Sequence, residues 1–150
     1  MDRELGGHVN KLWGILLLSF MASAAANAKP TADSKIPDFP KTLINARFVY
    51  VTSYDGGQFS ENLLNEDREA IANLQSALQK WGHFTLVYDL RKADMVIAVQ
   101  SRGKEDVLAV YDRLIRGTYL WREMGSNGLQ KGDPAFVTDL QKAYERASKK

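Results

Sequence analysis

The constraint that most limits the fold is subtractive: the N-terminal stretch reads as material that never reaches the folded domain. Leu12 to Ala22 is an apolar run of eleven residues. About 20 are needed to cross a hydrocarbon core, so the run suits the hydrophobic segment of an export signal better than a membrane span. Arg3 and Lys11 stand against Asp2 and Glu4 before it, so the free amino group alone makes this region positive. Small residues follow, and Ala26-Asn27-Ala28 before Lys29 fits the cleavage pattern of such signals. Residues 1–28 are therefore expected to be a signal peptide, with an uncleaved signal anchor as the alternative. Cleavage leaves 122 residues, enough for one core and too few for two.

Composition sharpens this. The chain has no cysteine, so its core must close without disulfides and no lipid can be attached through a cysteine thiol. The expected location is the periplasm or the cell exterior, an oxidising setting the chain does not exploit. The signal segment removes two charges of each sign, and the net charge stays at +2. That balance does not argue for nucleic acid or for an anionic membrane surface, and no transmembrane span is expected after cleavage.

Residues 29–46 hold Pro30, Pro37 and Pro40 with little periodicity, and read as a flexible lead-in that meets the domain around Leu43-Ile44. A single domain is expected over 47–150. Arg47 to Tyr54 is rich in β-branched and aromatic residues and predicts a strand, broken by Asp55-Gly56-Gly57. A helix is expected from about Glu66 to Trp81, with Asn65 as its N-cap, Glu66, Asp67 and Glu69 at its positive end, and Gly82 as its stop. Its buried stripe is Ile71, Leu74, Leu78 and Trp81, one face at helical spacing.

Phe84–Tyr88 predicts a second strand. Met95–Val99 predicts a central one, paired in a hairpin with Val107–Tyr111 across Arg102-Gly103-Lys104. Thr118–Met124 predicts a fifth strand, with Tyr119 and Trp121 on one face. The last helix is expected to begin with Asp133 as N-cap and Pro134 at its first position, and to bury Phe136, Val137, Leu140, Tyr144 and Ala147. The order is β-α-β-β-β-β-α. It implies an α+β two-layer sandwich: a mostly antiparallel five-stranded sheet with two helices on one face and one parallel pairing across a right-handed crossover.

The chemistry is mostly subtractive as well. His8 lies in the signal segment, so His83 is the single histidine expected in the domain. It follows a helix stop, where a polar or positive group is ordinary, and no nucleophile motif accompanies it. One histidine without cysteine argues against zinc. Asp55-Gly56-Gly57 lacks the spacing of a phosphate-binding loop and reads as a turn. Asp94, Asp106 and Asp112 border strands without calcium-loop spacing, and read as solvated strand ends. Arg102, Lys104, Arg113 and Arg116 could cluster near an anionic partner, although a solvated loop explains them. Alternation allows Tyr119 and Trp121 to be either core or an exposed aromatic patch. No catalytic, cofactor-binding or metal residue is assigned, and no cofactor is expected.

Several stretches carry a resemblance: Phe48-Val49-Tyr50-Val51, Asp67-Arg68-Glu69-Ala70-Ile71, Lys80-Trp81-Gly82, Ala93-Asp94-Met95-Val96, and Leu120-Trp121-Arg122 with Gly128-Leu129. On these, residues 47–148 resemble a family of uncharacterised exported envelope proteins from acidobacteria-like bacteria. The plan is also distantly similar to TolB N-terminal-like domains and to lipoprotein domains of unknown function, though the lipid-bearing cysteine is missing. The resemblance implies a non-catalytic binding or assembly module whose partner is an envelope protein or a cell-wall component. A small carboxylate-dependent hydrolase and a secreted effector or inhibitor are the alternatives. A pocket holding convergent acids would favour the hydrolase, whereas an apolar sheet face or free edge strand would favour the binding module.

Overall fold

The computed structural model describes residues 36–115 and 117–149. The expected signal peptide 1–28 and the first part of the lead-in lie outside the described residues, as does Arg116. The elements run in order β1 (Phe48–Ser53), α1 (Asn65–Trp81), β2 (Thr85–Leu86), β3 (Met95–Arg102), β4 (Glu105–Asp112), β5 (Trp121–Gly125) and α2 (Ala135–Ser148). Short 3-10 turns at Lys41–Leu43 and Leu90–Lys92 complete them. The class is α+β, with one five-stranded sheet and two α-helices among the described residues.

The sheet corrects one expectation. Its order is β2-β1-β3-β4-β5, with β1 parallel to both β2 and β3, and β4 antiparallel to both β3 and β5. It is mixed, not mostly antiparallel. The chain leaves β1 through α1, returns at β2 on one side of β1, then crosses to β3 on the other side. That crossing curtails β2: Thr85 and Leu86 pair with Phe48 and Val49, after which residues 88–92 turn away. The expected five-residue strand is therefore a two-residue edge.

Alternation along the strands divides the sheet. Val49 and Val51, Met95, Ile97 and Val99, Leu108 and Val110, and Trp121 share the inner face, and all of them belong to one core with the helix stripes. In α1 the stripe Ile71, Leu74 and Leu78 is buried as expected, joined by Ala70 and Ala77. Trp81 departs from expectation: it is half-buried at the helix end, edge-on to Phe84 and Tyr144. The fully buried tryptophan is Trp121, only 1% exposed. Its neighbour Tyr119 lies before the strand, which begins at Trp121, and is exposed.

The helix ends also differ from expectation. Leu64 and Pro134 occupy the N-cap positions, with no side-chain cap bond. Asp133 instead pairs with Lys80 at 2.6 Å, fastening the start of α2 to the end of α1. Gly82 closes α1 in the left-handed conformation, φ 72°, and its N–H donates to the Leu78 carbonyl at 3.0 Å. Gly128 is needed for a different reason, because a Cβ there would come within 2.3 Å of the Phe136 ring.

Packing also begins upstream of residue 47. Phe39, Leu43 and Ala46 are buried in the core. The Trp121 indole donates to the Pro37 carbonyl at 3.0 Å, and Arg146 donates to the Ile36 carbonyl at 2.7 Å. Residues 36–46 are thus part of the domain, anchored by apolar side chains that prolines separate from any periodic pattern.

Candidate functional site

The outer face of the sheet is built from the alternate residues of the same strands. One row across it is Tyr50–Val96–Tyr111, and the next is Thr52–Ala98–Ala109–Arg122. Both helices pack on the opposite face. The outer face is instead bordered by loops: residues 54–58 fold back along β1, with Thr52 Oγ1 donating to the Gly56 carbonyl at 3.0 Å, and residues 88–92 cross beside it. A groove of about 410 Å³ results, lined by Tyr50, Thr52, Leu90, Val96, Tyr111 and Ile115 among others.

Tyrosines dominate this surface. The Tyr111 hydroxyl donates to the Tyr54 hydroxyl at 3.1 Å, and the rings meet edge to face at 6.5 Å. Burial, reinforced by the bond from Tyr111, raises the Tyr54 hydroxyl pKa above the usual tyrosine value, so it stays protonated. The Arg122 guanidinium lies 5.4 Å from the Tyr119 ring centroid, within cation–π range. Aromatic bodies with hydroxyl tips on a shallow apolar floor suit recognition of a partner, since each ring offers large contact area at low conformational cost.

A second constellation sits where β1 and β3 end. Asp67 in the first turn of α1 is fully buried. It accepts from Ser53 Oγ at 2.9 Å, the Ser101 N–H at 2.8 Å and the Arg102 guanidinium at 2.7 Å. Burial works against ionisation, but these donors outweigh it and hold the carboxyl below its ordinary value. Arg102 also pairs with Asp55. Every oxygen of Asp67 is occupied, so the cluster clamps α1 and the β3–β4 hairpin onto β1 and leaves nothing open to a ligand. Asp55-Gly56-Gly57 is a turn, closed by the paired bonds between Ser53 and Gly56.

The other residues singled out from sequence are dispersed. Asp94 accepts the N–H groups of Arg47 and Phe48 at 2.9 and 3.0 Å. Asp106 accepts Ser101 Oγ at 2.6 Å and the Leu129 N–H at 3.0 Å, and Asp112 accepts the Leu114 N–H at 2.7 Å. Asp94 stays exposed at its strand end and Asp112 partly so, whereas Asp106 is buried. Asp106 and Asp112 terminate opposite ends of β4, and each acid ties down backbone. No group of His, Asp and Glu able to hold a metal gathers among the described residues. Arg102 and Lys104 lie at the β3–β4 turn while Arg113 follows the far end of β4, so these three described residues do not cluster together. His83 is exposed and stacks on Trp81, and burial of part of its ring lowers its pKa.

Two groups escaped the sequence reading. One is Asp67, which looks like any acid in a first helical turn. The other is Glu123, on the inner face of edge strand β5. Burial and the neighbouring Asp139 carboxyl on α2 push it up to about 7, with Lys142 opposing. The Tyr face did leave a signal: Phe48, Tyr50 and Tyr54 share parity along β1, opposite to Val49 and Val51. The chain matches no family model, no curated protein and no solved structure.

Proposed function

We propose that the chain is an exported, non-catalytic binding module of the bacterial envelope that engages an envelope protein or cell-wall component through the tyrosine-bearing outer face of its sheet. The observation that carries this is the groove between Leu90 on one side and Asp112, Arg113 and Ile115 on the other, floored by Tyr50, Val96 and Tyr111. An apolar, aromatic surface beside loops is the form that a recognition patch takes. The N-terminal segment supports export to the periplasm or beyond, and no helix among the described residues is long and apolar enough to cross a membrane. The hydrolase reading has one observation behind it, the Glu123–Asp139 pair, but neither carboxyl lines the tyrosine-bearing groove.

The test compares retention of envelope proteins and peptidoglycan fragments by the immobilised wild-type chain, by Tyr50→Ser/Tyr111→Ser and by His83→Ala. A component held by wild type and His83→Ala, and lost by the folded tyrosine variant, is the expected result. Equal retention by all three would remove the outer face from the function.

A further inference from the structure

At the end of the molecule where β1 and β2 begin, a separate cleft of about 480 Å³ is lined by Asn45, Arg47, His83, Thr85 and Tyr144, with Ile44 and Ala46. That size falls in the range of small-molecule sites. Its wall is fixed. The Tyr144 hydroxyl donates to the Ile44 carbonyl at 2.9 Å, and the His83 ring lies 4.2 Å from the Tyr144 ring and is stacked on Trp81 at 5.3 Å. Three polar heads in the lining are uncommitted: the Asn45 amide, the Arg47 guanidinium and the His83 imidazole make no hydrogen bond or ion pair with a described residue. No acid lines the cleft. The acid nearest in effect is Asp94, whose Oδ2 already accepts two backbone N–H groups.

Donors of this kind, two of them able to carry positive charge, select an anion and reject a cation. Partial burial disfavours the protonated His83 ring while the cleft is empty, and an anion seated beside it would offset that cost. We propose that this cleft is a binding site for a small molecule bearing an oxyanion, a carboxylate or a phosphate ester, held by Arg47, Asn45 and His83 with its body against Tyr144 and Thr85. The site shares no residue with the outer-face groove and stands or falls independently of it.

The His83 imidazole reports directly on occupancy. In the full chain its resonance is assigned by its loss in His83→Gln, and its pKa is followed by proton NMR in sodium chloride. The titration is repeated with inorganic phosphate and, separately, with acetate, all at one ionic strength. An anion seated beside the ring raises its pKa by about one unit, saturably. Arg47→Gln, an exposed substitution, weakens that response about tenfold or more, as expected for loss of a charge-assisted bond. A response to phosphate alone assigns a phosphate ester, and one to both anions assigns a carboxylate-tolerant site. A His83 pKa that neither anion moves beyond the chloride control would overturn the proposal. So would an undiminished response in a folded Arg47→Gln.

Discussion

The two faces of the sheet come from the same strands and obey opposite rules. Inward, Val49, Ile97, Leu108 and Trp121 meet the stripes of α1 and α2 and are essentially inaccessible. Asp67, fully buried on that side, has a dedicated donor for each demand. Outward, one residue along, the chain places Tyr50, Val96, Tyr111 and Arg122 with no helix packed on them. The inner set is chosen by packing, where volume and polarity are dictated by neighbours already in the fold. The outer set has no helix over it, and although Ala98, Val107 and Ala109 there are also buried, its tyrosines stay partly or largely exposed. Contact with a partner is the reason we propose for them.

If this division is right, truncation inside should dominate stability. Trp121→Ala removes the largest fully buried side chain and its bond to the Pro37 carbonyl, so it should cost roughly 3–5 kcal/mol. Trp81→Ala, which the sequence stripe would rank as equally severe, should cost about 1–3 kcal/mol because the ring is half-buried. Urea denaturation midpoints of the two variants check the ranking. Equal losses would mean that the end of α1 is as much core as the centre of the sheet.

Next comes the buried charge. Asp67→Ala strands the Ser53, Ser101 and Arg102 donors, although Arg102, about a third exposed, can turn to water. A loss of about 2–3 kcal/mol is expected. The Asp67 pKa is lowered in the fold from 3.8, so its stabilisation is present above that value and is lost as pH falls below it. Chemical denaturation from pH 5 to 2 should therefore show a steeper acid loss in wild type than in Asp67→Asn. Parallel curves would show that the clamp contributes no ionic stabilisation.

Glu123 has the opposite sign. Its folded pKa of about 7 exceeds 4.5, so the native state holds a proton that the unfolded chain releases. Stability from this group is complete below pH 4.5 and declines as pH rises to about 7. Because the side chain is only half-buried, the decline should be modest, about 1–2 kcal/mol after solvent screening. Glu123→Gln should flatten the profile and be the more stable form at pH 8, as read from melting temperatures. A wild-type profile already flat between pH 4.5 and 8 would count against the Glu123–Asp139 pair.

Much of the inner face was legible because burial leaves periodicity. The spacing of Ile71, Leu74 and Leu78 and the unbroken run Met95–Val99 placed α1 and β3 directly. What periodicity could not carry was pairing direction. Residues 84–88 look like a strand by composition, yet the crossing from β2 to β3 shortens them to Thr85–Leu86. Nor could it show partners distant in sequence: Asp67 meets Arg102 and Glu123 meets Asp139 only after folding. Phe39 was hidden among prolines, and its burial depends on a helix more than a hundred residues later, where it meets Tyr144 edge-on at 5.3 Å. The outer-face tyrosines were visible as alternation, but nothing in that pattern distinguishes a solvated face from a binding one.

The smallest stability effect is the most informative about function. Tyr54→Phe deletes one hydroxyl and its 3.1 Å bond from Tyr111, at an expected cost of about 0.5–1.5 kcal/mol. Tyr111→Ser also removes a half-buried ring, yet that ring lies outside the helix-packed core, so its cost should stay well below that of Trp121→Ala. If the face serves recognition, Tyr111→Ser should lose the captured envelope component while its denaturation midpoint stays close to that of wild type. Tyr54→Phe should retain most of that binding, because the ring and its apolar contact area remain. A Tyr111→Ser chain as unstable as Trp121→Ala would erase the difference between the faces and make the tyrosines a second core. A stable Tyr111→Ser chain that still binds would keep the difference but move recognition elsewhere, with the free edge of β5 as the next surface to vary. Only stability retained and binding lost, together in one variant, joins the groove to what the protein does.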